Sequence, residues 1–267
     1  MVGTNGWPVW YELAAPDPAA LAPFYRAVLN WEIAAEGIEM PGGTEYRMIG
    51  RADGGNAGGV LTLSEGMKQA GMTPGWFVYF HAEDVDGLAA KAKELGGAIH
   101  LPPADMPGAG RIAMMADPQG AAFYLIRPTP PPGQPDAQSD VFSIDQPSRC
   151  RWNELGTTDA PAANDFYKAL FGWSTDNAMP MGPAGDYRFI ELGGVTIGAI
   201  NPMLAAGARP GWLPYFGVSD IEAAREALTA HGGTAATEIH QVPGGEWIFH
   251  ATDPAGAALG IVGPKGA

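Results

Sequence analysis

Apolar positions in the first half of the chain alternate between a helical period and short continuous runs. One stripe recurs every three or four residues between positions 21 and 28, as the buried face of an amphipathic helix does. Asp17 precedes the stripe as an N-cap and Pro18 takes the first helical position, so a helix is predicted to begin here. The stripe consists of Leu21, Phe24, Tyr25 and Val28.

The shorter apolar runs are predicted to be strands. PVWYEL precedes the helix, and YRMIG, GGVLTL and WFVYFHA follow it between glycine-rich turns. A second helix is predicted to begin near Asp84 and to end at Gly96 and Gly97, because glycine readily closes a helix. RIAMMA and AAFYLI complete the pattern around the turn DPQG. The order strand, helix, several strands occurs twice, which predicts an α+β fold built of βαβββ modules.

The second half of the chain repeats the first. WYELAAPDPAALAPFYRAVLNW (10–31) and WNELGTTDAPAANDFYKALFGW (152–173) align without a gap, with 9 identities in 22 positions. PGAGRIAMMADPQGAA (107–122) and PGGEWIFHATDPAGAA (243–258) share 8 of 16 positions. Matches that keep their order over the whole length indicate a tandem duplication.

The repeat predicts two domains joined by a proline-rich linker. We place the N-terminal domain at residues 5–128, the linker at 129–146 and the C-terminal domain at 147–264. The linker contains PTPPPGQPDAQSD, whose prolines lack amide donors and favour extended backbone. It is therefore predicted to be a semi-rigid connection.

Composition and charge narrow the classes of partner. A net charge of -14 repels phosphate backbones and anionic lipid, so neither nucleic acid nor a membrane is an expected partner. Cys150 is the only cysteine, which excludes an intrachain disulfide. The N-terminus shows no basic segment followed by an apolar one, so we expect a cytoplasmic protein. A monomer or a homodimer is expected.

These motifs, in this order and twice over, resemble the vicinal oxygen chelate superfamily of glyoxalases, bleomycin-resistance proteins and extradiol dioxygenases. The resemblance rests on three features: the Asp-capped helix with FYKALFGW, the helix that ends in a glycine pair, and the DPQG or DPAG hairpin. The tandem arrangement resembles the branch related to lactoylglutathione lyase, which includes mycobacterial culture-filtrate antigens. The resemblance implies two glyoxalase-like domains, each with two βαβββ modules that curl a sheet around a cup.

The resemblance also implies positions for a divalent metal, and this chain does not fill them with ligands. Metal-dependent members place one ligand at the start of a module's first strand and another on the last strand after the DPxG turn. Indole offers only a donor and glycine offers no side chain, so we predict no metal and no cofactor, with a divalent metal as the alternative. The corresponding positions here are Trp10, Trp76, Trp152, Trp212, Tyr124 and Gly260.

Two glutamates recur within the apolar first strand of each copy. Trp10 and Glu12 share a strand face, as do Trp152 and Glu154, because alternate residues of a strand point the same way. If the tryptophans face the cup, each glutamate is either a structural partner of an arginine or a ligand acceptor and general base. The structural hypothesis pairs the glutamates with the duplicated arginines, Arg47 in YRMI and Arg188 in YRFI.

Aromatic residues complete the candidate ligand site. Trp10, Trp76, Trp152 and Trp212 recur in matching positions, and either they line the cups or they fill the core. Tyr124 and His250 are added as ligand-binding candidates, with His250 on a predicted strand beside the cup.

The preferred hypothesis from the sequence is a metal-free protein that binds a small aromatic or amphipathic molecule in an aromatic-lined cup. The alternative is an enzyme of the same superfamily. It would be a lyase, an isomerase or a dioxygenase, either metal-dependent or using Glu12 or Glu154 as a base.

Overall fold

The computed structural model describes residues 3–40, 43–134, 137–204 and 207–266. Within these residues the chain forms five α-helices, one short 3₁₀ helix at Gly182–Ala184 and eighteen strands. The helices are α1 (Pro18–Leu29), α2 (Glu65–Gln69), α3 (Val85–Glu94), α4 (Ala160–Phe171) and α5 (Ile221–Ala230). Residues 135 and 136 of the predicted linker lie outside the described residues.

The strands follow the repeat, nine in each half. In the first half they are β1 (Pro8–Ala15), β2 (Trp31–Ile33), β3 (Ile38–Met40), β4 (Thr44–Arg51), β5 (Asn56–Thr62), β6 (Gly75–His81), β7 (Ala98–Met106), β8 (Gly110–Ala116) and β9 (Ala122–Pro128). In the second half they are β10 (Cys150–Gly156), β11 (Ala178–Pro180), β12 (Asp186–Leu192), β13 (Val195–Asn201), β14 (Gly211–Gly217), β15 (Thr234–Ala235), β16 (His240–Gln241), β17 (Trp247–Thr252) and β18 (Ala258–Gly263).

Each half forms one nine-stranded mixed sheet within the described residues. The first runs β2-β4-β5-β1-β6-β9-β8-β7, with β3 also paired to β4. The second runs β11-β12-β13-β10-β14-β18-β17-β15, with β16 also paired to β17. The two orders are equivalent strand for strand over most of their length, which confirms the predicted α+β class and its two glyoxalase-like copies.

Helix ends lie where the sequence pattern places them. The Asp17 carboxylate accepts from the backbone N–H of Ala19 and Ala20, both at 3.1 Å, and α1 begins at the next residue, a proline. Asn30 closes this helix with φ 56°, a left-handed conformation that asparagine tolerates better than most residues. The predicted helix near Asp84 is α3, and Asp84 caps it by accepting from the Gly87 N–H at 3.0 Å.

The chain forms two compact units, and each unit combines segments of both copies. Unit 1 contains residues 1–9, 78–139 and 152–213, and unit 2 contains residues 10–77, 140–151 and 214–267. The predicted domain bounds divide the chain at the linker into two continuous segments. The compact units instead group segments that pack together in space. The core of each unit therefore draws side chains from segments that lie far apart in the chain.

A cluster of aromatic rings forms the core of unit 1. Tyr167 of α4 stacks on Trp173, with ring centroids 5.3 Å apart and planes 17° from parallel. Trp212 meets the Tyr167 ring edge-on at 5.3 Å, and Phe80 packs within 5.3 Å of both tryptophans. Burial of such large rings contributes strongly to stability because each removes a large apolar area from water.

Unit 2 has an equivalent core. Tyr25 of α1 stacks on Trp31 at 5.9 Å with planes 17° apart, and Trp76 meets its edge at 5.8 Å. Phe216 lies 4.8 Å from both tryptophans. The duplicated FY…W motif thus forms the same ring arrangement in each unit.

A tyrosine–aspartate hydrogen bond links the two copies within each unit. The hydroxyl of Tyr167 donates to Asp117 of the DPQG turn at 3.2 Å, and the hydroxyl of Tyr25 donates to Asp253 of the DPAG turn at 2.8 Å. Burial raises the pKa of both aspartates above the ordinary value, and the hydrogen bonds oppose that rise. Burial, with Asp117 beside it, raises the pKa of Tyr167 well above its ordinary value, so its hydroxyl stays protonated as a donor.

Removing one of these hydroxyls is expected to destabilise the fold. Tyr167→Phe leaves the Asp117 carboxylate without this donor and the Trp212 indole N–H without its acceptor, which lies 3.2 Å away. We expect the free energy of unfolding to fall by about 1–3 kcal/mol, the usual cost of buried polar groups that lose a partner. Urea unfolding followed by tryptophan fluorescence measures the change, and a variant as stable as the wild type would contradict the structural role of this bond.

None of the helices in the described residues is long and apolar enough to cross a membrane.

Candidate functional site

A buried carboxylate in unit 1 is held by side chains from two other strands of its sheet. Strand β10 presents Trp152 and Glu154 on one face, and its Glu154 lies in register with Ala199 of β13. The Tyr187 hydroxyl of β12 donates to Glu154 Oε2 at 2.7 Å, and the Asn201 amide at the end of β13 donates to Glu154 Oε1 at 3.0 Å. We call Trp152, Glu154, Tyr187 and Asn201 the Glu154 cluster.

Each member of the cluster is fixed by a further contact. The Trp152 indole N–H donates to the Tyr187 hydroxyl oxygen at 3.1 Å, which leaves the tyrosine proton directed to the carboxylate. The Asn201 side-chain oxygen accepts from the Met203 backbone N–H at 2.8 Å, which orients its amide. The cluster is therefore a connected chain of donors that ends on one carboxylate.

The surroundings of the cluster keep the Tyr187 phenol neutral. Glu154 is only 8% exposed, and a buried carboxylate is costly unless donors surround it. Burial raises the pKa of Tyr187, and the negative charge of Glu154 raises it further, so the phenol does not ionise at neutral pH. A carboxylate oxygen can accept more than one hydrogen bond, so Glu154 retains capacity for a further donor.

The predicted glutamate–arginine pairs are wrong, although both glutamates are buried as expected. Arg188 donates to Asp186 at 2.9 Å, and Arg47 donates to Glu45 at 3.0 Å. Glu154 instead bonds the tyrosine that precedes the arginine in the YRFI motif. Successive residues of a strand point to opposite faces, so Tyr187, and not Arg188, shares the face of Glu154.

The N-terminal copy has the equivalent tryptophan, glutamate and tyrosine in unit 2, but the residue opposite the glutamate differs. Glu12 is 5% exposed and lies in register with Gly59 of β5. The Trp10 indole donates to the Tyr46 hydroxyl at 2.7 Å. A Cβ at Gly59 would overlap the Tyr46 ring, so this ring lies directly against the strand, where the C-terminal copy has Ala199.

The last strands of the two copies also differ. In unit 1, Tyr124 is buried and stacks on Tyr79, with centroids 4.1 Å apart and planes 4° from parallel. In unit 2, the half-buried His250 lies in register with Gly260, and its Nε2 is 2.5 Å from the Tyr215 hydroxyl. A Cβ at Gly260 would overlap the Tyr215 ring, so that ring lies flat on the strand.

Trp76 and Trp212 are placed in the aromatic cores and not beside the glutamates. Trp76 is 6% exposed and packs on Tyr25 and Trp31, and Trp212 is 7% exposed and packs on Tyr167. Both rings are covered by protein, so we leave them out of the candidate site. Trp10 and Trp152 are half-buried.

Sequence reasoning missed Tyr187 and Asn201. Tyr187 had a signal, because the tyrosine of YRMI and YRFI is duplicated together with the arginine. No such signal existed for Asn201, because it is not duplicated. Glu12 pairs with Gly59 and Glu154 pairs with Ala199, so the residue that aligns with Asn201 is Leu61 of β5.

The residues at the family's metal positions do not fit a divalent ion. Among the residues that the structure describes, no group of three or more His, Cys, Asp or Glu side chains is placed to hold a metal. The first-strand positions carry tryptophan, and the last-strand positions carry Tyr124 and Gly260, as the sequence shows. A usual protein site for such an ion needs several nitrogen, oxygen or thiolate ligands that converge.

We therefore expect the purified protein to be stable without metal. Elemental analysis of protein prepared without chelator is expected to find far less than one transition-metal ion per chain. The melting temperature is expected to be the same before and after EDTA treatment, and also after addition of Mn²⁺, Fe²⁺ or Ni²⁺. One tightly held ion per chain, or a melting temperature that falls with EDTA, would contradict this expectation.

Comparison with known families shows to which one this chain belongs. The sequence profile of the Glyoxalase/Bleomycin resistance protein/Dioxygenase superfamily matches residues 7–125 and again residues 149–261. This chain belongs to that superfamily. Its two matched segments coincide with the two copies, so the superfamily fold is present twice in the chain.

Two relatives align along nearly the whole chain. CFP32 of Mycobacterium bovis, a candidate glyoxylase by its name, is 27% identical over 260 residues, which cover 97% of this chain and 95% of the relative. The anthracycline biosynthesis protein DnrV of Streptomyces peucetius is 31% identical over 268 residues, covering 96% of this chain and 93% of the relative.

Solved structures share the fold at low identity. The Mn(II)-bound glyoxalase of Novosphingobium aromaticivorans superposes with a TM-score of 0.65 at 14% identity, over 97% of this chain and 83% of that chain. The 2,3-dioxygenase LapB of Pseudomonas sp. KL28 superposes with a TM-score of 0.64 at 15% identity, over 99% and 94%. At these identities the likeness concerns the fold alone.

Proposed function

We propose that this protein binds a small planar aromatic molecule that donates a hydrogen bond to Glu154. The observation that carries the proposal is the Glu154 cluster, a buried carboxylate oriented by two donors on a face rich in aromatic rings. Binding sites for such molecules commonly combine apolar walls with a few fixed polar groups.

The rings around the cluster suit a flat ligand. Trp152 lies 6.1 Å from Phe189, and Tyr187 lies 5.7 Å from the same ring, each in an edge-to-face arrangement. All three residues are half-buried and therefore partly accessible. Aromatic rings of a ligand pack favourably on such surfaces in stacked or edge-on geometry.

The relatives support the same class of ligand. DnrV is named for anthracycline biosynthesis and so is DauV of Streptomyces sp. strain C5, which is 30% identical over 268 residues. Anthracyclines are planar polycyclic phenols, and a phenol hydroxyl is a good donor to a carboxylate. We therefore propose a planar phenol as the ligand class for this chain.

A matched pair of probes tests the proposal. We expect the wild-type protein to bind 2,6-dihydroxyanthraquinone, measured by quenching of tryptophan fluorescence and by equilibrium dialysis. We expect 2,6-dimethoxyanthraquinone, which keeps the ring but lacks the donors, to bind about tenfold more weakly or worse, because a hydrogen bond to a charged group contributes about 1.5–3 kcal/mol. Equal affinity for the two probes would contradict recognition through a donor, and binding of neither would contradict the proposal.

The second candidate is an enzyme in which Glu154 acts as a general base. It is favoured by the fixed position of the carboxylate, since proton transfer needs a base held within hydrogen-bond reach of the reacting group. Such chemistry would be that of an isomerase or a lyase. The two candidates separate in Glu154→Gln, which retains ligand but loses turnover if Glu154 is a base.

A further inference from the structure

A histidine ring is buried in unit 1 with one ring nitrogen left without a partner. His81 ends β6 and is 6% exposed. Within the described residues, its Nδ1 atom is buried and has no hydrogen-bond partner. A neutral imidazole can carry its proton on Nε2 and leave Nδ1 unprotonated, whereas the protonated ring carries an N–H on both nitrogens. Protonation of His81 in this place therefore buries an N–H group that has no acceptor, which is costly.

Residues 3–7, which we call the latch segment, lie against this histidine. The Gly6 N–H donates to the His81 carbonyl oxygen at 2.9 Å, and the His81 N–H donates to the Trp7 carbonyl oxygen at 2.8 Å. The Asn5 side-chain oxygen accepts a further bond, at 2.8 Å, from the backbone N–H two residues after the histidine. The backbone on both sides of the imidazole is thus bonded to the latch segment.

The latch segment also covers part of the aromatic core of unit 1. Gly6 has φ 82°, and a Cβ at this residue would lie 2.5 Å from the Trp173 Nε1 atom and 2.8 Å from Phe171. The backbone of Gly6 is therefore in direct contact with the two rings. Trp7 follows and is 8% exposed.

On its other side, His81 is held within the sheet. It lies in register with Ile126 of β9, and the N–H of the next residue, Ala82, donates to the Ile126 carbonyl oxygen at 2.8 Å. The latch segment, by contrast, belongs to neither a helix nor a strand. Segments with few backbone bonds open at a lower free energy than strands inside a sheet. Of the two neighbours, the latch segment is thus the one that gives way at the lower cost.

Two charged side chains act on the protonation of His81. Burial lowers the pKa of His81 below its ordinary value, the negative charge of Glu83 opposes this, and the positive charge of Arg127 adds to it. Glu83 and Arg127 form an exposed ion pair with each other at 3.3 Å. The latch segment, GTNGW, contributes no titratable side chain.

We propose that residues 3–7 form a pH-sensitive latch, which is closed on unit 1 while His81 is neutral and opens when His81 is protonated. Opening gives the imidazole access to water and uncovers the edge of Trp173. The latch involves neither Glu154 nor the proposed ligand, so it is tested separately from the proposed function.

The direction of the pH dependence follows from the two states. In the open state His81 has its ordinary pKa of about 6.5, whereas in the closed state burial lowers the pKa. The open state therefore binds protons more readily. The closed latch has its full stability above about pH 6.5 and loses stability as the pH falls through that value toward the lowered pKa of the closed state.

Hydrogen–deuterium exchange of the full-length protein tests the latch. Exchange of residues 3–7 is compared between the wild type and His81→Phe at the same pH, so that the intrinsic pH dependence of exchange cancels. The ratio of the wild-type rate to the variant rate is expected to rise several-fold between about pH 7.5 and pH 5.5. Its limit is about tenfold, since pH 5.5 lies one unit below the ordinary pKa. His81→Asn replaces His81→Phe if the melting transition shows that the latter does not fold.

Two charge variants supply a second readout. Arg127→Gln removes a charge that lowers the pKa of His81, so its latch is expected to open at a higher pH than that of the wild type. Glu83→Gln removes a charge that raises this pKa, so its latch is expected to open at a lower pH. Both side chains are exposed, and exposed ion pairs contribute little to stability, so both variants are expected to fold.

Three results would overturn the latch. The first is a wild-type to His81→Phe ratio that does not change with pH. The second is an equal acceleration of exchange in β13 (Val195–Asn201), a strand of the same unit, because the opening would then not be confined to residues 3–7. The third is a pH of opening that moves in the same direction in both charge variants.

Discussion

Replacing Trp173 by alanine is expected to lower the free energy of unfolding by about 3–5 kcal/mol, the range for truncating a large buried aromatic side chain. Trp173 is 1% exposed and its ring packs on Tyr167, Trp212 and Phe80. Alanine in its place leaves a cavity at the centre of unit 1, and these rings cannot close it without leaving their own contacts. Chemical denaturation monitored by far-UV circular dichroism measures the loss.

Trp152→Ala is the matched control for this experiment. Trp152 is also a duplicated tryptophan, but it is half-buried and belongs to the Glu154 cluster. We expect it to cost clearly less stability than Trp173→Ala and to weaken probe binding instead. Equal losses of stability in the two variants would contradict the separation of core and site tryptophans.

Cleavage of the linker is expected to leave the two fragments associated. Each compact unit contains segments from both sides of the linker, so the two fragments share both aromatic cores. Contacts such as Tyr167 with Asp117 and Tyr25 with Asp253 then hold the fragments together without a covalent connection. These are buried contacts of the kind found in a domain interior, and their combined effect is large.

A protease recognition sequence inserted after Gly133, an exposed residue, allows a single specific cut. The cut protein is expected to migrate as two bands in a denaturing gel. In native size-exclusion chromatography it is expected to elute as one species at the position of the intact 27.9 kDa chain. An uncut sample of the same variant is the control. Two separate native species of about half the mass would contradict the shared cores.

The sequence predicted the local elements well because their signals are local. Asp17 caps α1, Asp84 caps α3, and each effect depends on residues within one helical turn. The duplication then made the second sheet predictable from the first, since the same elements recur in the same order. The class of fold and the family both followed from these repeated local signals.

The roles of the tryptophans could not be predicted in the same way. Trp76 and Trp152 occupy equivalent strand starts, yet Trp76 lies in a core and Trp152 lies in the Glu154 cluster. The difference arises from contacts with distant segments, such as Phe216 against Trp76. Sequence spacing does not determine contacts of this kind.

The partner of Glu154 was mispredicted for a related reason. Burial of a carboxylate required a donor, but the motif YRFI offers two adjacent ones on opposite faces of a strand. The register of β12 with β13, which pairs Arg188 with Ile200, decides which face meets Glu154. Opposite charge favoured Arg188 as the predicted partner of Glu154. The strand face on which each side chain lies makes Tyr187 the partner in the structure.

A crystal structure of the protein with 2,6-dihydroxyanthraquinone would show whether Glu154 is the ligand acceptor. We expect a probe packed against Trp152, with a hydroxyl oxygen within hydrogen-bond distance of a Glu154 carboxylate oxygen. We also expect Tyr187 and Asn201 to keep their bonds to that carboxylate in the complex. A probe bound only beside Glu12, or only at a site that does not contact Glu154, would contradict this role of Glu154.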